Sequence, residues 1–289
     1  MDTYYSAEKN VQIFEDTKKN CKNHATLKKA ISESNENQII YKEEDVIPES
    51  KSEKEKETKI IVSKKRSFEA AGAYRNKKVC VHNFASATNP GGGVVRGSTA
   101  QEESLCRIST LYFNLSHHKP MNEFYRPHRE QNNAIYNDDC IYTPEVIVFK
   151  DDSANPSMLK EKDWYSVNIL TCAAPNLREK PSNCMNPNAG DQRVILKNQE
   201  LLDIHIKRGR RILDIARLHG NDVVILGAFG CGAFKNNPEI VAEAYTKLLE
   251  EYDGVFETIE FAVYCSPKDT TNFDVFQRKI KAYLAGRKK

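Results

Sequence analysis

Apolar side chains recur with helical spacing at both ends of this chain and in short unbroken runs between them. From residues 6 to 34, Val11, Ile13 and Phe14, followed by Leu27, Ala30 and Ile31, predict two short amphipathic helices with a break at 20–23. Ile39, Ile40 and Tyr41 predict a short strand. Residues 49–58 carry no large apolar side chain and alternate in sign, which predicts a solvated loop or linker. Residues 1–58 therefore read as a helical extension and charged loop packed on a domain that spans 59–289.

That domain opens with a strand at 59–62, a helix at 67–74 and a strand at 79–84, a unit that demands a parallel, right-handed crossover. The runs 146–149 and 167–174 are short, rich in branched residues and bounded by Pro, Asp or Asn, as strands buried on both faces should be. A helix is predicted over 191–218, where Val194, Leu201, Ile204, Ile212 and Ile215 keep helical spacing. A strand over 222–228 follows, then a helix to residue 252 with Pro238 as its first residue, a strand over 259–264 and a helix over 272–284. The alternation predicts an α/β domain with a mixed, mostly parallel sheet flanked by helices.

Composition narrows the picture. With 289 residues, 39% hydrophobic and 29% charged, there is enough chain for one large core. The net charge of +3, with lysines and glutamates interleaved, gives no argument for nucleic acid or a membrane surface. Eight cysteines without a Cys-x-x-Cys suggest neither zinc nor a disulfide framework and read as reduced thiols. The amino terminus lacks the apolar core of a signal peptide and no run reaches membrane-spanning length, so a cytoplasmic protein is expected. His117, His118 and His128, interrupted by Pro120 and Pro127, read as solvated loop histidines and not as a metal site. Asp138 and Asp139 either flank a turn or act as ligands. Lys207, Arg208, Arg210 and Arg211 either meet a polyanion or form the wet side of a helix.

The chemistry concentrates at 83–107. A strand runs into Gly91, Gly92, Gly93 and Gly97, and a helix starts at about Thr99. Glycines are kept where backbone needs positive φ or where a ligand presses on it, and bare N–H groups before a helix suit an anion or a ribose. Ser98 with Gln101, or Thr99 with Glu102, fits a capping box, and Leu105, Ile108 and Tyr112 fall on one face. Glu102 and Glu103 point about 100° apart and cannot do the same job. Taken alone they could be dipole-favoured acids, with Glu103 and Arg107 an exposed i,i+4 ion pair. A second glycine loop, Gly227-Ala228-Phe229-Gly230-Cys231-Gly232-Ala233-Phe234, follows a strand and precedes a helix. It is neither a dinucleotide fingerprint nor a P-loop, but its N–H groups would hold a diphosphate, and Phe229 or Phe234 would pack on a ribose or base, or else in the core. Both loops fall on the carboxyl edge of one sheet. With an acid at the mouth and no Ser-His-Asp set, the inference is a sugar-nucleotide hydrolase.

Gly91-Gly92-Gly93, a seven-residue spacer and Gln101-Glu102-Glu103 resemble the catalytic signature of the bacterial-type poly(ADP-ribose) glycohydrolases. Ile-Tyr-Thr-Pro-Glu-Val at 141–146, Thr-Cys-Ala-Ala-Pro-Asn at 171–176 and the second glycine loop are similar to that family as well. The resemblance implies a macrodomain fold and hydrolysis of the ribose–ribose bond of poly(ADP-ribose), releasing ADP-ribose, by a monomer that needs no cofactor or metal. It implies Glu103 as general acid/base, its pKa raised by burial against the pull of the helix dipole, and Glu102 orienting the ribose at the scissile bond. Gly91, Gly92 and Gly93 would lie against the diphosphate and distal ribose, with Asn89 and Gln101 positioning that ribose or the loop. Gly230, Cys231, Gly232, Ala233 and Phe234 would clamp the diphosphate, Phe234 against a ribose. A mono-ADP-ribosylhydrolase, or a module that only reads ADP-ribose, are the alternatives.

Overall fold

Seven strands form one mixed sheet in the order β1-β4-β5-β3-β6-β7-β2 in the computed structural model, which describes residues 2–48, 57–266 and 268–287. The strands are β1 Ile39–Tyr41, β2 Lys59–Ser63, β3 Val79–Phe84, β4 Cys140–Val148, β5 Tyr165–Cys172, β6 Val223–Leu226 and β7 Thr258–Ala262. The five strands β5, β3, β6, β7 and β2 run parallel, while β4 and then β1 are antiparallel to their neighbours. β2 and β3 are parallel as predicted but not adjacent: β6 and β7 lie between them, and β2 ends the sheet against β7. Register sets Phe84 beside Cys172 and Leu226 beside Phe261, so the carboxyl ends of the central strands share one edge.

The helices are α1 Asp2–Asn23, α2 Ala25–Glu36, α3 Ser67–Ala71, α4 Gln101–Ile108, α5 Leu111–Leu115, α6 His118–Pro120, α7 Arg126–Gln131, α8 Asn198–Leu218, α9 Pro238–Glu251 and α10 Thr271–Arg287. Strand alternation divides the core between the two faces. Cys80, Val224 and Leu226 join Ile212, Val241, Leu248 and Phe276 of α8, α9 and α10 on one face. Val79, Val81, Val223 and Ile225 join Phe14, Phe68, Leu105 and Leu111 on the other. Asn237 caps α9 by accepting from Glu239 N at 3.0 Å, with Pro238 at its first position.

The extension shares that second core. Phe14 of α1 is fully buried against Tyr112, Asn10 Nδ2 donates to Gly97 O at 3.0 Å, and the buried Lys150 pairs with Asp16 at 2.8 Å. β1 is itself an outer strand of the sheet. Most of the charged run at 49–58 lies outside the described residues. No helix among the described residues is long and apolar enough to cross a membrane.

Several sequence expectations need correction. α8 begins at Asn198, seven residues late, because Ile195 is 82% exposed and the Lys197 N–H bonds to Glu200 Oε2 at 2.7 Å, starting the helix there. Residues 111–131 are largely helical and not loop, with a π-turn at Met121–Tyr125, and His128 is buried with Nδ1 2.7 Å from Phe124 O. Helix α4 ends at Ile108, so Tyr112 belongs to α5. The cations of α8 have partners within the chain, Lys207 pairing with Asp138 at 2.5 Å. Arg208 is buried, donating to Asp138, Ala173 O and Ile135 O, which also settles Asp138 as structural; Arg210 pairs with Glu251 and Arg211 donates to Asp45 O.

Candidate active site

β3 and β6 lie side by side in parallel, so the loops that leave them rise next to each other. Between these loops is a cavity of about 490 Å³, within the roughly 300–1,000 Å³ of small-molecule sites. Gly92, Gly93, Gln101, Glu102 and Glu103 line it from the first loop and α4, and Gly230, Gly232, Ala233 and Phe234 from the second.

The first loop is shaped around two buried carboxyl groups. Gly92 has φ +55°, and a Cβ there would lie 2.6 Å from Glu103 Oε1 and 3.2 Å from Glu102 Oε2. Only glycine lets both acids face this patch. Gly93 N donates to Glu103 Oε1 at 2.8 Å, and no side chain among the described residues donates to Glu103. Glu102 is held on both oxygens, by Ser86 N at 2.8 Å and Asn83 Nδ2 at 3.3 Å. The adjacent acids therefore have different supports, as their angular separation requires.

Neither serine nor threonine caps α4: Ala100 occupies the cap position without a side-chain bond. Gln101 instead accepts from Phe84 N at 2.9 Å and donates to His82 O and Ser67 Oγ, tying the helix start to β3 and α3. The exposed Glu103–Arg107 ion pair is absent too. Arg107 is 4% exposed and donates to Ser98 O and Ser104 Oγ.

Burial raises the pKa of both acids. Glu102 is pushed to about 8 by burial and by the Glu103 charge, against the Ser86 N–H and Asn83. Glu103 is raised by burial against the Gly93 N–H and the Arg107 charge. Burial thus favours the protonated form of Glu103, as expected of a general acid, and of Glu102 as well. The Glu103 charge is one of the causes at Glu102, so the two acids titrate as an interacting pair.

The second loop is bolted from beneath. Gly230 has φ +75°, and a Cβ there would lie 2.5 Å from Ala174 Cβ and 2.7 Å from Asn236 Nδ2. The buried Asn236 donates to Pro175 O at 2.7 Å, Gly230 O at 3.2 Å and Phe234 O at 3.3 Å. Phe234 is half-buried at the cavity with the Arg178 guanidinium 5.6 Å from its ring centroid, whereas Phe229 packs in the core against His82, Phe84 and His205.

Three of the expected binding residues stand off the cavity wall. Asn89 braces the loop through Gly92 O and Met185 O. Gly91 faces Tyr112, Val94 and Cys106 behind the loop. Cys231 turns its thiol toward Phe229 O and the apolar core, and burial pushes that thiol up. Residues that the sequence reading missed complete the cavity: Arg66, Asp152, Arg178, Met185, Asn186, Tyr264 and Asn272. Arg66 and Tyr264 follow the carboxyl ends of β2 and β7, so the strand-end rule already applied to β3 and β6 would have found them.

The catalytic domain described as microbial-type PARG matches residues 7–151. Over the whole chain the structure is similar to poly(ADP-ribose) glycohydrolase from Thermomonospora curvata bound to the inhibitor ADP-HPD, with 30% identity, 93% of this chain and 98% of that chain covered, and a TM-score of 0.78. It is similar also to poly(ADP-ribose) glycohydrolase from Deinococcus radiodurans in complex with ADP-ribose, with 30% identity, 87% and 97% of the two chains covered, and a TM-score of 0.70. No curated protein matches.

Proposed function

This chain belongs to the microbial-type poly(ADP-ribose) glycohydrolase family, and we propose that it hydrolyses the ribose–ribose bond of poly(ADP-ribose) to release ADP-ribose, with Glu103 as general acid/base. The observation that carries this reading is the Glu102–Glu103 pair, buried at the mouth of a cavity whose other wall is the Gly230–Phe234 loop. A unit seated there would rest its diphosphate on the backbone of the second loop, with Phe234 against a ribose and the Arg178 charge nearby. Glu102, held by donors on both oxygens, orients the ribose at the scissile bond, while burial keeps the pKa of Glu103 raised. Glu103 protonates the leaving oxygen as the glycosidic bond breaks. Its carboxylate then takes a proton from the water that adds to the ribose, which restores the acid.

In the two glycine loops, backbone N–H groups would meet the phosphates without a side chain between. Incubation with purified poly(ADP-ribose), alongside a protein bearing single ADP-ribose units, tests the reading. Free ADP-ribose from the polymer supports it, release only from the singly modified protein would transfer the activity to mono-ADP-ribosyl hydrolysis, and binding without release would leave a reader.

A further inference from the structure

A second cavity of about 280 Å³ shares part of its wall with the main one. Arg66, Ser104, Asp152 and Tyr264 border both, and Arg107 of α4 with Ser6 of α1 border only the second. Arg107 is buried, yet its two hydrogen-bond partners, Ser98 O and Ser104 Oγ, are neutral, and it makes no ion pair among the described residues; Glu103 and Asp152 attract it only from farther away. Asp152 is the acid on this wall, but its Oδ2 is taken by Phe68 N at 3.0 Å and Glu69 N at 3.3 Å at the start of α3. A desolvated guanidinium beside a polar cavity, with no carboxylate at ion-pair distance among the described residues, is a site prepared for an anion.

We propose that this second cavity receives a phosphate of the polymer unit on the leaving side of the scissile bond, which makes α1 part of the polymer site. The proposal rests on the glycohydrolase reading above. Glu103 and Arg107 are i and i+4 on α4 and so lie on one face, about one turn apart. A leaving oxygen protonated by Glu103 belongs to a ribose whose own 5′-phosphate is a few bonds away, a span comparable to the one turn of α4 that separates Glu103 from Arg107. An ADP-ribose unit attached directly to a protein side chain presents no such phosphate. The cavity therefore favours polymer over singly modified protein, and the amino-terminal helix, which holds no part of the two glycine loops, acquires a role in substrate choice.

The test measures affinity and not turnover. In a Glu103→Gln background, calorimetry compares ADP-ribose with a purified ADP-ribose oligomer. Ser6→Glu places a carboxylate on the cavity wall, and is expected to weaken oligomer binding about tenfold while leaving ADP-ribose binding unchanged. Arg107→Gln should do the same if it folds, and Ser6→Glu decides the matter if it does not. Oligomer affinity that is unaltered by Ser6→Glu, or an equal loss for ADP-ribose and oligomer, would overturn the subsite. Failure of the wild-type protein to cut polymer would instead strike the glycohydrolase reading and leave the subsite standing on its binding data.

Discussion

His205 and Asn236 are joined by a 2.9 Å hydrogen bond between Nε2 and Oδ1, and its direction is fixed by what lies on the other side of the amide. Asn236 Nδ2 faces three carbonyl oxygens, so Oδ1 must accept and His205 Nε2 must carry the proton. Helix α8 thereby sets the orientation of the residue that holds the second glycine loop. Asn236→Ala removes all these bonds and should destabilise the protein by about 2–4 kcal/mol and raise the Kd for ADP-ribose at least ~10-fold, since the loop carbonyls lose their common donor. Thermal unfolding with calorimetry checks both; a normal Kd would mean that the loop is shaped by other contacts.

Gly92→Ala places a methyl group 2.6 Å from Glu103 Oε1 in a backbone conformation with φ +55°. The left-handed strain costs about 1–2 kcal/mol, so the fold should survive. The acid must move, so polymer hydrolysis should fall ~100-fold or more, since a catalytic group misplaced by about 1 Å can cost that much. Equal rates of ADP-ribose release would show that Glu103 tolerates displacement and is not the acid.

Stability should peak near mildly acidic pH. Glu102 has its pKa raised by burial to about 8. Between the unfolded value of 4.5 and about 8 the folded state holds a proton that the unfolded chain has lost, so stability falls as pH rises through that window, by up to about 1.4 kcal/mol per unit. His82 and His205 are held down by burial, to about 3 and about 4, so below 6.5 the unfolded chain binds protons that the fold refuses and stability falls with acid. The buried Asn83 Oδ1 has no partner among the described residues, and turning that amide would offer an acceptor to a protonated Glu102. Denaturant melts from pH 4 to 9 check this, and Glu102→Gln should flatten the alkaline arm. An alkaline arm that is just as steep in the variant would assign it to another group.

Phe14→Ala should cost about 3–5 kcal/mol, although this residue belongs to the extension, because its ring is fully buried in the core that carries Leu105 of the acid-bearing helix. A loss under about 1 kcal/mol would make residues 1–58 an appendage and not part of the fold.

The strands and loops that carry the site are the parts most readily read from sequence. β3 and α9 were bounded within a residue because branched runs, Pro238 and the glycines mark their ends. What periodicity could not reveal is where the spacing stops being helical: Val194 fits the spacing of α8 yet lies before it, next to the exposed Ile195. Nor could it show that Gln101, which with Ser98 makes a good capping box on paper, instead ties the helix start to β3 through its side chain. Arg66 and Tyr264 reach the cavity through the pairing of β2 with β7 across about 200 residues, and Asp152 through its bonds to Phe68 N and Glu69 N, long-range facts without local signal. The acids themselves were legible; that burial raises Glu102 as well as Glu103 required the pocket.

Glu103→Gln keeps the shape of the side chain and removes its ability to give up a proton. Release of ADP-ribose from poly(ADP-ribose), followed chromatographically beside calorimetric binding of ADP-ribose, tests the central claim most directly. The variant should bind ADP-ribose within about threefold of wild type and lose turnover by ~10³-fold or more. Wild-type release of ADP-ribose by Glu103→Gln would contradict the account.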